Sequence, residues 1–227
     1  MFGRRWLEMT WRDGLFLHWP VDPSVVADTL PAGLEVATYE GDAYLGVVPF
    51  VMASIRPRGS PIGRSFPELN LRTYVTGPAG PGVYFYSLDA ADAMGVTLAR
   101  RLFSLPYYRA QMRVDRDENA ITITSDRTHG GADRATFDAT YEPTGESFTP
   151  VSGSRPAFLL ENYRFYTAGR RLYRGEIAHE PWTLRPATVT VRTNSLFEAN
   201  GFDVPDGDPI AHYAEPIEVT ADRLRAV

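Results

Sequence analysis

Apolar and polar side chains alternate with period two along much of the chain, the pattern of strands with two unlike faces. The sharpest case is Glu68-Leu69-Asn70-Leu71-Arg72-Thr73-Tyr74-Val75. One face carries Leu69, Leu71, Thr73 and Val75. The other carries an acid, an amide, a guanidinium and a phenol from Glu68, Asn70, Arg72 and Tyr74. Upstream, Leu15 to Pro20 reads as a strand with Phe16 and His18 opposite Leu15, Leu17 and Trp19. Residues 34 to 56 read as two strands joined at Glu40-Gly41-Asp42; in the second, Gly46 and Pro49 mark places where a sheet bends or ends. After a turn at Gly77 to Gly82, Val83 to Asp89 is the expected antiparallel partner of the 68–75 strand. Its alternation puts Ser87 and Asp89 on the face of Val83 and Phe85. Strands over 109–114, 121–124 and 134–141 form an antiparallel meander, and Leu172 to Ile177, Ala187 to Thr193 and Ile217 to Val219 add further strands.

Helical periodicity is rarer. Asp22-Pro23 opens a short helix with Val25, Val26 and Leu30 as its stripe, stopped by Pro31 and Gly33. Asp89 is placed to cap a helix from Ala90 to Ser104, and Ser154-Arg155-Pro156 to open one from Ala157 to Tyr166, ended by Gly169. About ten strands with two or three short helices make an α+β fold, mostly antiparallel β. A sheet that long tends to curl or close, since closure removes exposed edges. No repeat or composition break divides residues 1–227, so a single domain is expected.

Composition changes this picture mainly by exclusion. Of the 227 residues, 44% are hydrophobic and 22% charged, enough for a core without staples. There is no cysteine, which removes disulfides, thiolate metal sites and cysteine nucleophiles. All 23 basic residues are arginine, so no side chain can form a Schiff base. A net charge of −5 argues against nucleic acid as partner. No apolar run approaches the roughly 20 residues of a membrane span. Nor does Met1-Phe2-Gly3-Arg4-Arg5-Trp6 lead into the apolar segment of a secretion signal; a cytoplasmic location is expected. Phosphate-loop, dinucleotide, zinc-protease and serine-elbow motifs are missing, and His18, His129, His179 and His212 stand alone in sequence. Neither a metal nor a cofactor is expected.

The polar row on 68–75 cannot satisfy itself. Glu68 and Arg72 lie about 13 Å apart along a strand, too far to pair. Each group then needs partners from other strands, water or a ligand, and a buried unpaired Arg72 would cost several kcal/mol. The row is either a solvent face or the wall of a polar pocket. The arginine-, proline- and glycine-rich loop at 56–65 is either a solvated connection or a lid.

Several segments in order resemble an uncharacterised YqjF-like family of the acetoacetate-decarboxylase-like superfamily. They are Phe16-Leu17-His18-Trp19, Leu30-Pro31-Ala32-Gly33-Leu34, the 68–75 strand, Gly82 to Ala90, Leu105-Pro106-Tyr107, Phe158 to Tyr166 and His179-Glu180-Pro181-Trp182. The resemblance implies a cone-like, closed or nearly closed β-barrel with a central cavity and a few short helices packed outside. It brings no established activity, and the decarboxylase mechanism needs a cavity lysine that this chain lacks. In such a barrel the polar row becomes a cavity wall. Glu68, Arg72 and His179 are then the candidate catalytic groups, and Asn70, Arg72, Tyr74, His18 and Ser87 the candidate ligand contacts. Asp89 is assigned to helix capping, and Tyr107 and Trp182 to packing. The expected function is a small-molecule pocket, with an anionic ligand. One version is a lysine-independent lyase, isomerase or hydrolase acting on an oxo-acid-like or aromatic compound. Another is a non-catalytic sensor or carrier, and a third a scaffold with a filled barrel. Assembly as a homo-oligomer is compatible with all three.

Overall fold

The computed structural model describes residues 5–92, 96, 104–169 and 171–227. The strands among them are β1 (Leu7–Arg12), β2 (Gly14–Val21), β3 (Glu35–Val36), β4 (Ala43–Pro57), β5 (Arg64–Gly77) and β6 (Gly80–Ala90). They continue with β7 (Tyr107–Asp117), β8 (Ala120–Arg127), β9 (Thr136–Pro143), β10 (Arg164–Ala168) and β11 (Leu172–Ala178). The last are β12 (Leu184–Asn194), β13 (Ile210–Ala214), β14 (Ile217–Ala221) and β15 (Arg225–Ala226). Two short α-helices lie wholly within the described residues, α1 (Pro23–Ala27) and α2 (Arg155–Leu160), with a 3-10 turn at Glu198–Asn200. Both α-helices start as the sequence dictates: Asp22 and Ser154 accept hydrogen bonds from backbone amides of the first turn, and proline sits at its start.

Strands β4, β5 and β6 pair in sequence order and form a shared wall. On one side, β6 continues through β10, β11, β14 and β1, and β1 returns to β4. On the other, β6 continues through β7, β8, β9, β12, β13 and β2, and β2 also returns to β4. The sheet therefore closes twice around a common wall, and its outer circuit is a ring of 12 strands. Pairing is antiparallel except where β6 meets β10 and β7.

Two closures explain why both faces of β4 and β5 are buried. Leu45, Val47, Leu69 and Leu71 point into the ring of β7, β8 and β9, where they join Leu15, Leu17, Ile123, Phe137 and Phe197 in one apolar cluster. Val48, Phe50, Met52 and Tyr74 point the other way, into a second cluster with Met9, Phe16, Val83, Leu160 and Trp182. The alternation over 68–75 thus separates two interiors rather than an interior from solvent. The apolar face is covered by a second curl of sheet, where helices were expected.

Three further expectations are corrected. The segment from Ala157 is helical only to Leu160; Arg164–Ala168 is strand β10, held between β11 and β6. Glu161 is the C-cap, and just beyond it the Asn162 side-chain amide donates to the Phe158 carbonyl at 2.8 Å. Asp89 is a residue of β6, with both carboxylate oxygens bound by Arg127 at 2.7 and 2.8 Å, so it is committed to a buried ion pair rather than a cap. Most of the helix expected over 90–104 lies outside the described residues. The 56–65 loop shrinks to a connection over 58–63, because β4 runs to Pro57 and β5 starts at Arg64. No helix among the described residues is long and apolar enough to cross a membrane.

Candidate functional site

The ring formed by β1, β14, β11, β10, β6, β5 and β4 encloses a cavity of about 210 Å³. From β5 it receives Glu68, Asn70 and Arg72, the inward face of the polar row. His179 enters from the stretch after β11, and Tyr107 from the start of β7. Most of the remaining wall is apolar and aromatic, including Trp11, Phe16, Phe50, Phe85 and Trp182. A second, more open pocket of about 580 Å³ shares Asn162, Arg164 and Ile177 with the cavity wall.

Arg72 is held from behind. Its Nη2 donates to the Tyr74 hydroxyl at 3.3 Å and to the Leu159 carbonyl at 3.2 Å. The guanidinium carbon lies 5.2 Å from the centre of the Phe16 ring, a cation–π contact. Its Nε is buried without a partner, and among the described residues no carboxylate pairs with it. A largely enclosed cation without a counter-charge is unusual, since desolvation must be offset by something.

Tyr74 and His18 form the support. The Tyr74 hydroxyl donates to the Leu159 carbonyl at 2.8 Å and lies 2.7 Å from His18 Nε2. Because that hydroxyl proton goes to the carbonyl, His18 Nε2 is the N–H that donates to the tyrosine oxygen. Burial, with the neighbouring Arg72 and His212, pushes the His18 pKa well below the ordinary histidine value, so the ring is neutral. Gly46, opposite Arg72 on β4, leaves the room: a Cβ there would stand 3.2 Å from His18 Cδ2 and 3.4 Å from Arg72 Cγ. His18 and Tyr74 lie behind the cavity wall rather than on its surface.

Glu68 is 3% exposed, and the Tyr107 hydroxyl donates to its Oε2 at 2.9 Å. Burial pushes its pKa up to about 7; the Tyr107 bond opposes this and nearby Asp89 adds to it. The carboxyl therefore titrates near neutrality. Asn70 is equally buried, and its Oδ1 has no partner. His179 Nδ1 lies 2.6 Å from the Glu180 carbonyl, which fixes the proton on Nδ1 and leaves Nε2 as a lone pair, buried and unbonded. Burial lowers the His179 pKa as well.

Ser87 is the candidate that the fold removes from the group. It pairs with Leu71 while Phe85 pairs with Arg72, so Tyr86 is an extra residue in β6. That bulge reverses the alternation and turns Ser87 away from the cavity, where Asn200 Nδ2 donates to its hydroxyl at 3.2 Å. Tyr107 is the opposite case: assigned to packing, it lines the cavity and binds Glu68. Its hydroxyl at a strand start, beside a carboxylate from a distant strand, left no local signal. Asn162 and Arg164 are missed when their segment reads as helix, although Arg164/Tyr166 alternate with Phe165/Thr167 as a strand would. Among the described residues, no three His, Asp or Glu side chains converge as a metal would require.

Comparison with known proteins places this arrangement. The profile of DUF2071, a family of uncharacterized conserved proteins, matches residues 8–218. The uncharacterized protein YqjF of Bacillus subtilis (strain 168) is 41% identical over 223 residues, covering 96% of this chain and 91% of that protein. The enduracididine biosynthesis enzyme MppR, in complex with pyruvate, superposes with a TM-score of 0.69 at 13% identity, over 100% of this chain and 91% of that one. Acetoacetate decarboxylase from Legionella pneumophila gives 0.65 at 12% identity, over 100% and 90%. These two likenesses establish the acetoacetate-decarboxylase-like fold, and nothing about the reaction.

Proposed function

We propose that this chain, which belongs to the DUF2071 family, binds a small carboxylate in its cavity and moves a proton next to a carbonyl group. The observation that carries the reading is Arg72: a cation held by neutral partners at the edge of an apolar cavity, with no carboxylate of its own among the described residues. A carboxylate ligand supplies the missing charge and accepts the charge-assisted bonds that arginine makes best. Pyruvate bound by the structurally similar MppR is consistent with an acid of this kind.

Glu68 is the proton-transfer group in this scheme. With a pKa of about 7 it is present in both forms near neutrality, as a general acid–base needs. Its carboxylate takes a proton from the carbon beside the carbonyl; the C–H electron pair moves to form the enolate, and the charge settles on oxygen. Asn70 and Arg72 stabilise that oxygen, and Glu68 returns the proton to the same or a neighbouring carbon. His179 Nε2 is the second base available. A Schiff base has no place, since the chain has no lysine.

Proton NMR of a 2-oxo acid in D2O tests both parts. Wild-type protein is expected to speed loss of the C3 proton signal over buffer, and Glu68→Gln to lose that acceleration by at least about 100-fold. Arg72→Gln is expected to weaken binding by on the order of 30-fold or more, with the melting temperature nearly unchanged. Undiminished binding in Arg72→Gln would sink the carboxylate assignment. Saturable binding without any exchange would leave a carrier or sensor in the same cavity.

A further inference from the structure

We propose that the ligand is an aromatic monocarboxylate, one ring joined to its acid by a short chain. This rests on the carboxylate reading above and adds the body of the molecule, which Arg72 alone does not define.

The wall divides by chemistry. Glu68, Asn70 and Arg72 come from consecutive inward positions of one strand and form one compact polar group, while Arg12, Arg164, Glu215 and Asp222 join the lining from other elements. Elsewhere six rings, from Trp11, Phe16, Phe50, Phe85, Phe165 and Trp182, stand among more numerous aliphatic side chains. Trp11 lies 5.2 Å from Phe50 and 6.1 Å from Trp182, Phe16 lies 5.3 Å from Trp182, and Phe85 lies 5.9 Å from Phe165. Their planes are mutually tilted, between 23° and 73°, so the space between them offers both ring faces and ring edges. A flat aromatic guest can meet these in the edge-to-face and offset contacts that aromatic pairs prefer; a saturated ring cannot. Of the two indoles in this ring-lined portion, Trp182 Nε1 donates to the Leu160 carbonyl at 2.9 Å, whereas Trp11 Nε1 is buried without a partner.

Size narrows the class further. An apolar cavity of about 150 Å³ holds one benzene molecule. The 210 Å³ here takes one ring and a chain of a few atoms. A nucleotide or a long acyl chain could not be held wholly inside that volume. Acetate or pyruvate would engage Arg72 but leave the aromatic wall in contact with water, giving up about fourfold in affinity for each methylene-sized group not buried.

Titration calorimetry on the full chain tests this with 3-phenylpropionate, 3-cyclohexylpropionate, acetate, pyruvate and neutral 3-phenylpropanol. We expect 3-phenylpropionate to bind on the order of 100-fold more tightly than acetate or pyruvate. It should bind about fivefold more tightly than the cyclohexyl acid. Against the alcohol, the expected margin is on the order of 30-fold. Phe85→Leu, at a half-buried position, should weaken the aromatic acid several-fold and leave acetate unchanged. If acetate and pyruvate match 3-phenylpropionate and all lose binding in Arg72→Gln, the aromatic assignment falls and the carboxylate site stands. If the cyclohexyl acid binds as tightly, the wall is merely apolar and the aromatic assignment is overturned. If the alcohol binds as tightly and Arg72→Gln has no effect, the carboxylate reading itself fails. Absence of any binding overturns both.

Discussion

Burial raises the Glu68 carboxyl from 4.5 to about 7, so the folded chain keeps a proton there over a range in which the unfolded chain has lost it. Below about pH 4.5 both states are protonated and the group costs nothing; between there and about pH 7 stability falls; above it the full penalty, about 3 kcal/mol, is in force. Glu68→Gln keeps the shape and removes the charge. Relative to wild type it should match in stability near pH 4, and be more stable by about 3 kcal/mol near pH 8, as read from urea unfolding at each pH. His18 acts in the opposite direction, since a histidine buried neutral loses stability as pH falls below its unfolded value; comparing variant with wild type cancels that contribution. Parallel curves for the two proteins would mean that Glu68 is hydrated or paired. At this scale the sequence was informative where a strand alternates cleanly. Glu68, Asn70 and Arg72 could be grouped from spacing alone, whereas Tyr107 could not, because its partner is 39 positions away. Ser87 was misplaced by a single extra residue.

Among the elements, β10 and β11 are joined across the register pair Phe165 and Gly175. The Phe165 ring lies flat on the glycine: a Cβ at residue 175 would stand 2.1 Å from Cζ and 2.4 Å from Cε1. The ring takes the place of a side chain on β11 and reaches the cavity wall from there. Gly175→Ala must push aside that ring, which lines the cavity. An overpacking cost of about 1–3 kcal/mol is expected, with weakened binding of 3-phenylpropionate, measurable as a lower melting temperature and a larger Kd. An unchanged Kd would show that Phe165 has room to turn away from the ligand. The strands also show what limits a reading of the sequence. β5 and the meander of β7, β8 and β9 have long unbroken alternation and were legible. β10 reads as helix because the apolar and aromatic residues of Phe158 to Tyr166, interrupted by Glu161, Asn162 and Arg164, fit either period. β1 and β13 were passed over because their short segments sit among prolines, aspartates and arginines, and only their distant partners make them strands: β14 and β4 for one, β12 and β2 for the other.

For the molecule as a whole, closure was legible as a tendency and its form was not. A long antiparallel sheet must deal with its edges, but nothing local announces that β4, β5 and β6 serve two rings. That requires Trp11 opposite Ile217 and Phe165 opposite Val83, pairs far apart in the chain. The shared wall has a mechanical consequence. Leu69 and Leu71 belong to the filled ring and Asn70 and Arg72 to the cavity ring, on the same strand, so neither interior can open without exposing the other. The chain should therefore unfold as one unit. Ile123, on β8 in the filled interior and 1% exposed, gives the test. Ile123→Ala should cost about 2–5 kcal/mol through the cavity it leaves, and should do so in a single transition. The Kd for 3-phenylpropionate should stay within about twofold, since the substitution acts on the unfolding equilibrium and not on the site. Saturating 3-phenylpropionate should in turn slow hydrogen exchange at Ile123 as well as at Val219, because the ligand stabilises both rings through their common strands. Protection confined to Val219, or a first transition that melts β8 and β9 while binding survives, would mean that the two rings are separate folding units joined only by a common wall.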